Sequence, residues 1–366
     1  MIPAPKTRVT IRDIARASNV SPMTVSRALR NHPHVRDALG ERIRIVARQL
    51  GYHPDPMLSA LAAYRSGLTT AGEFVPIAYV SFWATPDGWR KIPHFLRQYE
   101  GASQRAAELG YDLQPFWARS SNMDDRQASR VLYNRGIRGL LLAPIPAAIG
   151  HLRFEWDLFS CIALGNSVYK PDMHRVAGRP FEGVLAAWRH LRQLGYRRIG
   201  LAITRRTDVR ALHQWIAAHH FKTQQTKEED RISTLVWEKS ANAAMFLAWL
   251  HKERPDAVIS FGSGPIEWIR DAGFSVGSEI GYADLDLSSC SGPCAGIYQY
   301  PEYIGQCAVE QLNLLLLQNQ HGLPEHPRVV GVKPVWVAGP TVERISLAKH
   351  NNKRLRLPRK RLGKIP

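Results

Sequence analysis

Cysteine is scarce in this chain. Its 366 residues include only Cys161, Cys290, Cys294 and Cys307, too few and too unevenly spaced for a disulfide framework, so reduced thiols are expected. None sits in a Cys-x-x-Cys pair, and no second pair or His cluster follows Cys290 and Cys294 at ligand spacing, so no metal is expected. Long apolar runs are also missing. Nothing approaches the roughly 18 consecutive apolar residues of a membrane span, and the opening MIPAPKTRVT lacks the apolar core of a secretory signal. The expectation is a cytoplasmic protein with no membrane partner. Catalytic signatures are thin: the fourteen histidines form no HExxH, and Gly262-Ser263-Gly264 fits neither a dinucleotide nor a P-loop fingerprint. Catalytic residues, cofactors and enzymatic activity are therefore not expected.

What is present is an ordinary globular composition, 45% hydrophobic and 22% charged, which at this length implies two or three domains with real cores. The net charge of +18 is unevenly shared: residues 1–65 carry +7, residues 66–348 only +3, and residues 349–366, with no acidic side chain, +8. Basic ends around a nearly neutral middle point to a polyanionic partner for the ends and a separate task for the middle.

Residues 9–30, VTIRDIARASNVSPMTVSRALR, read as helix, tight turn, helix. Thr10 and Asp13 have capping-box spacing before a helix over about 11–18, Asn19 breaks it, and Ser21 with Pro22 opens a second helix. Leu39, Ile43, Val46 and Leu50 mark a third helix, ended by Gly51. Two short helices across such a turn form the motif that lays its second helix in the major groove of DNA. In YHPDPMLSALAAY, Asp55 and Pro56 can start one more helix, too short to stand alone in water.

The order V-T-I-x-D-I-A-x-x-x-x-V-S-x-x-T-V-S-R-A-L, then a third helix, then G-Y-x-P, resembles the LacI-type family of transcriptional regulators over residues 9–64. That resemblance implies base reading by Pro22, Met23 and Arg27, with Arg27 suited to guanine. Phosphate contacts fall to Thr10, Ser21, Thr24, Ser26, Arg30 and His34, and Leu61, in a hinge helix at about 56–63, becomes a minor-groove wedge. It implies a homodimer on double-stranded operator DNA of pseudo-palindromic sequence, probed by a small-molecule effector. The alternatives are a ligand-blind regulator whose second domain only dimerises, and a soluble solute-binding protein.

From about residue 76, short apolar runs (PIAYVSF, GLLLAPI, CIALG, RIGLAIT, DAVISF, AGIYQ) alternate with helical patterns at about 91–109, 123–135, 181–194, 208–220, 240–252, 264–272 and 301–318. Such alternation predicts parallel sheets covered by helices. The resemblance gives the fold class: an all-α helix-turn-helix domain with hinge helix (1–65), a linker (66–75), a periplasmic-binding-protein-like α/β domain of two parallel-sheet subdomains (76–345) joined by three crossovers, and a basic tail expected to be disordered (346–366). Its cleft would be lined by Phe82, Trp83, Asn166, Arg210, Asp284, Asp286 and Gln299. Ala283 and Phe261-Gly262-Ser263 replace polar residues that the family usually keeps there. An ordinary hexose is therefore not expected as effector, and Arg210 is a candidate anchor for an anion.

Overall fold

The computed structural model describes residues 9–29, 35–50, 52, 74–120, 123–238 and 243–345. The hinge segment with Leu61, the side chains Arg30 and His34, most of the linker and the basic tail lie outside the described residues. The chain divides into two compact units, one built on residues up to Val75 together with Asn313–His321, the other on Pro76–Leu312 and the chain from Gly322 on.

The first unit holds α1 (Ile11–Ser18), α2 (Pro22–Leu29) and α3 (Asp37–Gln49). Thr10 donates both its N–H (2.9 Å) and its hydroxyl (2.7 Å) to the Asp13 carboxylate, closing the start of α1. The same two bonds hold the Asp13 carboxyl below the usual carboxylate range. Asn19, at φ 52°, adopts the left-handed conformation that asparagine tolerates better than most residues, and so turns the chain into α2 within three residues. Ser21 Oγ then accepts the Thr24 N–H at 3.1 Å, a side-chain cap for a helix of eight residues. Ile14, Ala15, Val25, Ala28, Ile43 and Ala47 fill one core. Eight-residue helices are marginal alone, so this shared core is what makes them stable.

The second unit has two lobes. In chain order the first contains β1 (Val75–Ser81), α4 (Pro93–Glu108), β2 (Tyr111–Trp117), α5 (Asp125–Asn134), β3 (Gly139–Leu142), β4 (Gly150–His151), β5 (Ser160–Leu164), β6 (Val168–Lys170) and β7 (Arg175–Gly178). The second contains α6 (Pro180–Gln193), β8 (Ile199–Thr204), α7 (Arg205–Arg210), α8 (Gln214–Gln224), β9 (Leu235–Trp237), α9 (Ala243–Glu253), β10 (Ala257–Ser260), α10 (Gly264–Asp271), β11 (Gly281–Asp284) and β12 (Ala295–Tyr298). Helix α11 (Pro301–Leu317) leads to β13 (Val329–Val332) in the first sheet and β14 (Val335–Val337) in the second. The strand orders are β13-β7-β5-β3-β1-β2 and β14-β12-β11-β10-β8-β9, with β4 and β6 forming a separate small pair. The chain thus crosses between the sheets after β7, β12 and β13. Strands β3 and β5 pair in parallel and are buried along their whole length, as strands covered by helices on both faces must be.

Two details depart from the sequence reading. The helical pattern at 208–220 is two helices, because Leu212 and His213 take φ 53° and 61° and break the chain between α7 and α8. Strand β2 was not legible: only Leu113 and Phe116 of its side chains are buried, so it carries no apolar run.

Helix α4 is placed by two glycines. A Cβ on Gly101 would stand 2.0 Å from the Glu302 carbonyl oxygen, and one on Gly305 would stand 1.9 Å from the Gln98 carbonyl oxygen. The backbones of α4 and α11 touch there, a separation only glycine permits. That contact sets His94 and Gln98 on the side of α4 that faces the second lobe.

Candidate functional site

Two surfaces carry candidate chemistry. On α2, Val25 and Ala28 face the core while Pro22, Met23 and Arg27 are exposed, Met23 at 63%. Met23 and Arg27 are one helical turn apart and share a face. The Arg27 guanidinium makes no ion pair among the described residues, whereas Arg44 and Arg48 on α3 are held by Glu41 at 2.9 and 3.0 Å and Arg42 donates to the Ser18 carbonyl. An unpaired guanidinium on the exposed face of the helix is free for an external acceptor. The candidate phosphate side chains are not equally free. The Thr10 hydroxyl is spent on Asp13, and Ser21 and Thr24 hydrogen-bond each other at 2.9 Å, while Ser26 is half-buried on α2.

Between the lobes of the second unit lies a cavity of about 660 Å3. Of the residues expected to line it, Trp83, Asn166, Arg210, Asp286 and Gln299 do so. Phe82 and Asp284 do not. The Phe82 side chain packs in the first lobe's core against Phe154, with ring centroids 5.8 Å apart. Both residues follow the end of β1 at Ser81, and there the neighbour Trp83 faces the cavity instead. Asp284 supports the wall from behind: its Oδ1 accepts the Gly262 and Asp286 N–H groups at 3.1 and 3.0 Å. Burial raises its pKa to about 6 despite those bonds. Ala283 is also turned away, buried in the second lobe's core. Its small side chain therefore says nothing about the ligand, and that part of the sequence argument fails.

Other lining residues gave no signal in the sequence. His94 Nδ1 and Asp286 Oδ1 meet at 2.9 Å and His94 Nε2 meets Gln98 Nε2 at 3.1 Å. With the amide donating to Nε2, the imidazole carries its proton on Nδ1 and gives it to Asp286, so a polar relay joins the lobes. A second connection comes from α7, where Arg210 Nη1 donates to the carbonyls of Ile145 and Ala147, both at 2.8 Å, and Arg206 donates to that of Pro146. The Arg210 guanidinium also lies 5.4 Å from the Phe95 ring. Burial, aided by the like charge of Arg206, lowers its pKa to about 10. His94 and Asp286 are 192 positions apart, and no spacing rule connects residues so distant.

Nothing in the geometry suggests covalent catalysis. The sequence does contain one G-x-S-x-G, Gly273-Phe274-Ser275-Val276-Gly277, a spacing used by nucleophile elbows. Here it follows helix α10 rather than a strand, and the exposed Ser275 has its N–H tied to Glu279 at 2.6 Å. Among the described residues no group of three His, Cys, Asp or Glu side chains could hold a metal, and no helix is long and apolar enough to cross a membrane.

Several known proteins are similar to this chain. The family described as bacterial regulatory proteins, lacI family, matches residues 10–55. The HTH-type transcriptional regulator MalR of Streptococcus pneumoniae is 31% identical over 133 residues, 36% of this chain and 38% of that one. The matched stretch thus spans about two-fifths of that relative. The HTH-type transcriptional repressor PurR of Aliivibrio salmonicida is 24% identical across 89% of this chain and 98% of its own. Among solved structures, the Lac repressor bound to ONPG superposes with a TM-score of 0.54 at 19% identity, covering 92% of this chain and all of that one. A CelR–cellobiose complex gives 0.54 at 16% identity, covering 91% of this chain and all of its own. These likenesses fix the architecture, a helix-turn-helix unit followed by a periplasmic-binding-protein-like pair of parallel sheets. Residues 10–55 thus match the lacI family of bacterial regulatory proteins, and the chain as a whole shares the fold of the Lac repressor.

Proposed function

We propose that this protein is a sequence-specific DNA-binding regulator of transcription, acting in the cytoplasm as a homodimeric repressor on a pseudo-palindromic operator. A small molecule held between the lobes would modulate it. The observation that carries the reading is the α2 surface: a capped helix presenting Pro22, Met23 and an unpaired Arg27, backed by a family match confined to the same region. Arginine pairs bidentately with guanine, and the apolar Pro22 and Met23 suit thymine methyl groups. Domain limits at 1–65, 66–75, 76–345 and 346–366 belong to the same proposal, as does the wedge role of Leu61. A wedge opens most easily at a flexible pyrimidine-purine step, so such a step should lie at the operator centre.

Selection of bound sequences from random DNA tests the proposal. The expected result is a two-fold symmetric site with a central pyrimidine-purine step, whose affinity falls with log salt at about −0.9 per phosphate contact. Asymmetric single half-sites, or affinity indifferent to salt, would overturn it.

A further inference from the structure

The charged residues around the cavity are not balanced. Its two carboxylates are engaged, Asp286 by His94 at 2.9 Å and Glu238 by Arg205 at 2.7 Å. Among the described residues its two guanidiniums, Arg206 and Arg210, meet only main-chain carbonyls and the Phe95 face. They sit one turn apart on α7, where like charges repel. Arg206 stays exposed, but Arg210 is partly withdrawn from water without a carboxylate, a cost that an incoming anion would relieve.

The Trp215 indole N–H and the Gln98 amide oxygen have no partner among the described residues, but both atoms are closed off from the cavity. The groups within reach of a ligand therefore ask for acceptors near Arg206 and Arg210.

The body of the ligand follows from the rings. Each lobe contributes an aromatic pair to the lining: Trp83 with Phe95, centroids 6.1 Å apart, and Trp215 with Phe261, 5.5 Å apart. The Trp83 N–H is fixed to the Pro144 carbonyl at 2.9 Å, which locks that ring in place. The groups a sugar would need are largely spent inside the protein, Asp286 on His94 and the Gln299 amide N–H on the Leu285 carbonyl at 2.9 Å. About 660 Å3 suits a molecule larger than one ring.

We propose that the cavity binds an aryl carboxylate, its ring between the aromatic pairs and its carboxylate at Arg206 and Arg210. This rests on the reading of the cavity as an effector site and names the effector's chemistry.

Tryptophan fluorescence and calorimetric titration of the full chain test it, with 4-hydroxycinnamate, its methyl ester, glucose and inorganic phosphate as probes. The acid should bind at sub-millimolar concentration and the ester at least about tenfold more weakly, since a charge-assisted bidentate contact is lost. Glucose and phosphate should bind no better than the ester. Arg206→Gln should weaken the acid by about tenfold and leave the ester unchanged, with the fold intact by circular dichroism. Equal binding of acid and ester, tighter binding of glucose or phosphate, or no binding by any probe would overturn the assignment. If Arg206→Gln misfolds, the acid-to-ester ratio on the unaltered chain decides. Operator binding, measured on the same preparation without ligand, separates the two claims. Acid binding without DNA binding sinks the regulator and keeps the cavity, and the reverse sinks only the cavity.

Discussion

The three-helix unit and the two-lobe unit are held together differently. The first buries six apolar side chains and, among its described residues, a single polar one, Ser18. Its charged groups lie outside, and Arg27 on the exposed face of α2 makes no ion pair among the described residues. The second buries Arg175, Asp208, His219, Gln98 and Gln299 among its apolar clusters, and its cavity is walled by residues that also join the lobes. Stability and function should therefore come apart in the first unit and stay coupled in the second.

The largest expected effect concerns the coupled unit. Gly305→Ala places a methyl group 1.9 Å from a main-chain oxygen of α4, a clash that no rotamer relieves. Calorimetric unfolding should show a loss of about 3 kcal/mol or more, together with loss of whatever the cavity binds, because α4 carries His94 and Gln98. Gly292→Ala, whose new methyl would meet its nearest neighbour at 3.7 Å, is the control and should stay within about 0.5 kcal/mol of the parent. An unaltered melting temperature for Gly305→Ala would mean that α4 and α11 do not touch as described.

Next comes the acid sensitivity of the second lobe. His219 Nε2 lies 3.2 Å from the Ile199 carbonyl and Nδ1 lies 2.9 Å from the Thr234 hydroxyl. The carbonyl can only accept, so the neutral ring carries its proton on Nε2. Burial lowers its pKa from 6.5 to about 4. The unfolded chain takes the proton first, so stability from this group is complete above pH 6.5 and is lost as pH falls toward 4, by about 3 kcal/mol. Asp284, raised to about 6, works with the opposite sign. It favours the folded state below its unfolded value and loses that contribution as pH rises through 6, by about 1 kcal/mol after allowing for partial exposure. His219→Gln keeps a donor and an acceptor but does not titrate, so denaturant unfolding between pH 7 and pH 4 should flatten. Asp284→Asn should steepen it. Identical pH profiles for parent and His219→Gln would remove the buried imidazole from the explanation.

A middle-sized effect tests the uncoupled unit. Arg27→Ala should weaken operator binding by about 1–3 kcal/mol and relax preference at one base pair per half-site. Its melting temperature should not move, because Arg27 makes no ion pair among the described residues. A variant that lost stability along with affinity would break the contrast between the units.

The same contrast explains what was legible in the sequence. The helix-turn-helix is local: Thr10 with Asp13, Ser21 with Thr24, and the turn at Asn19 each complete their contacts within a few residues, so cap chemistry and helical period reveal them. Buried strands such as GLLL and CIAL were legible for a similar reason, being apolar along their whole length. The cavity is not local. Helix α4 meets the residue after β11 only once two lobes have formed and Gly101 and Gly305 have let α4 and α11 touch. The course of the chain beyond β1 then decides which of two neighbours faces inward, Trp83 rather than Phe82, while β11 turns Ala283 toward the core. Family resemblance brought the reading to the right loops but could not supply those orientations.

The smallest effect sits where the separation of roles should fail, at Ser21. The resemblance gives its hydroxyl to a phosphate, yet in the structure Ser21 Oγ accepts the Thr24 N–H at 3.1 Å and shares a hydrogen bond with the Thr24 hydroxyl at 2.9 Å. A hydroxyl has one proton and two acceptor sites, so capping leaves room for one outward bond. Two substitutions divide the roles. Ser21→Ala removes the cap from α2 and should cost about 1 kcal/mol of stability, whereas Ser21→Gly should cost only a few tenths of a kcal/mol. Both lose the hydroxyl. If Ser21 touches phosphate, both should weaken operator binding to the same extent and flatten its salt dependence. If the affinity loss instead follows the stability loss, large for alanine and small for glycine, Ser21 acts on DNA only by holding α2 in shape.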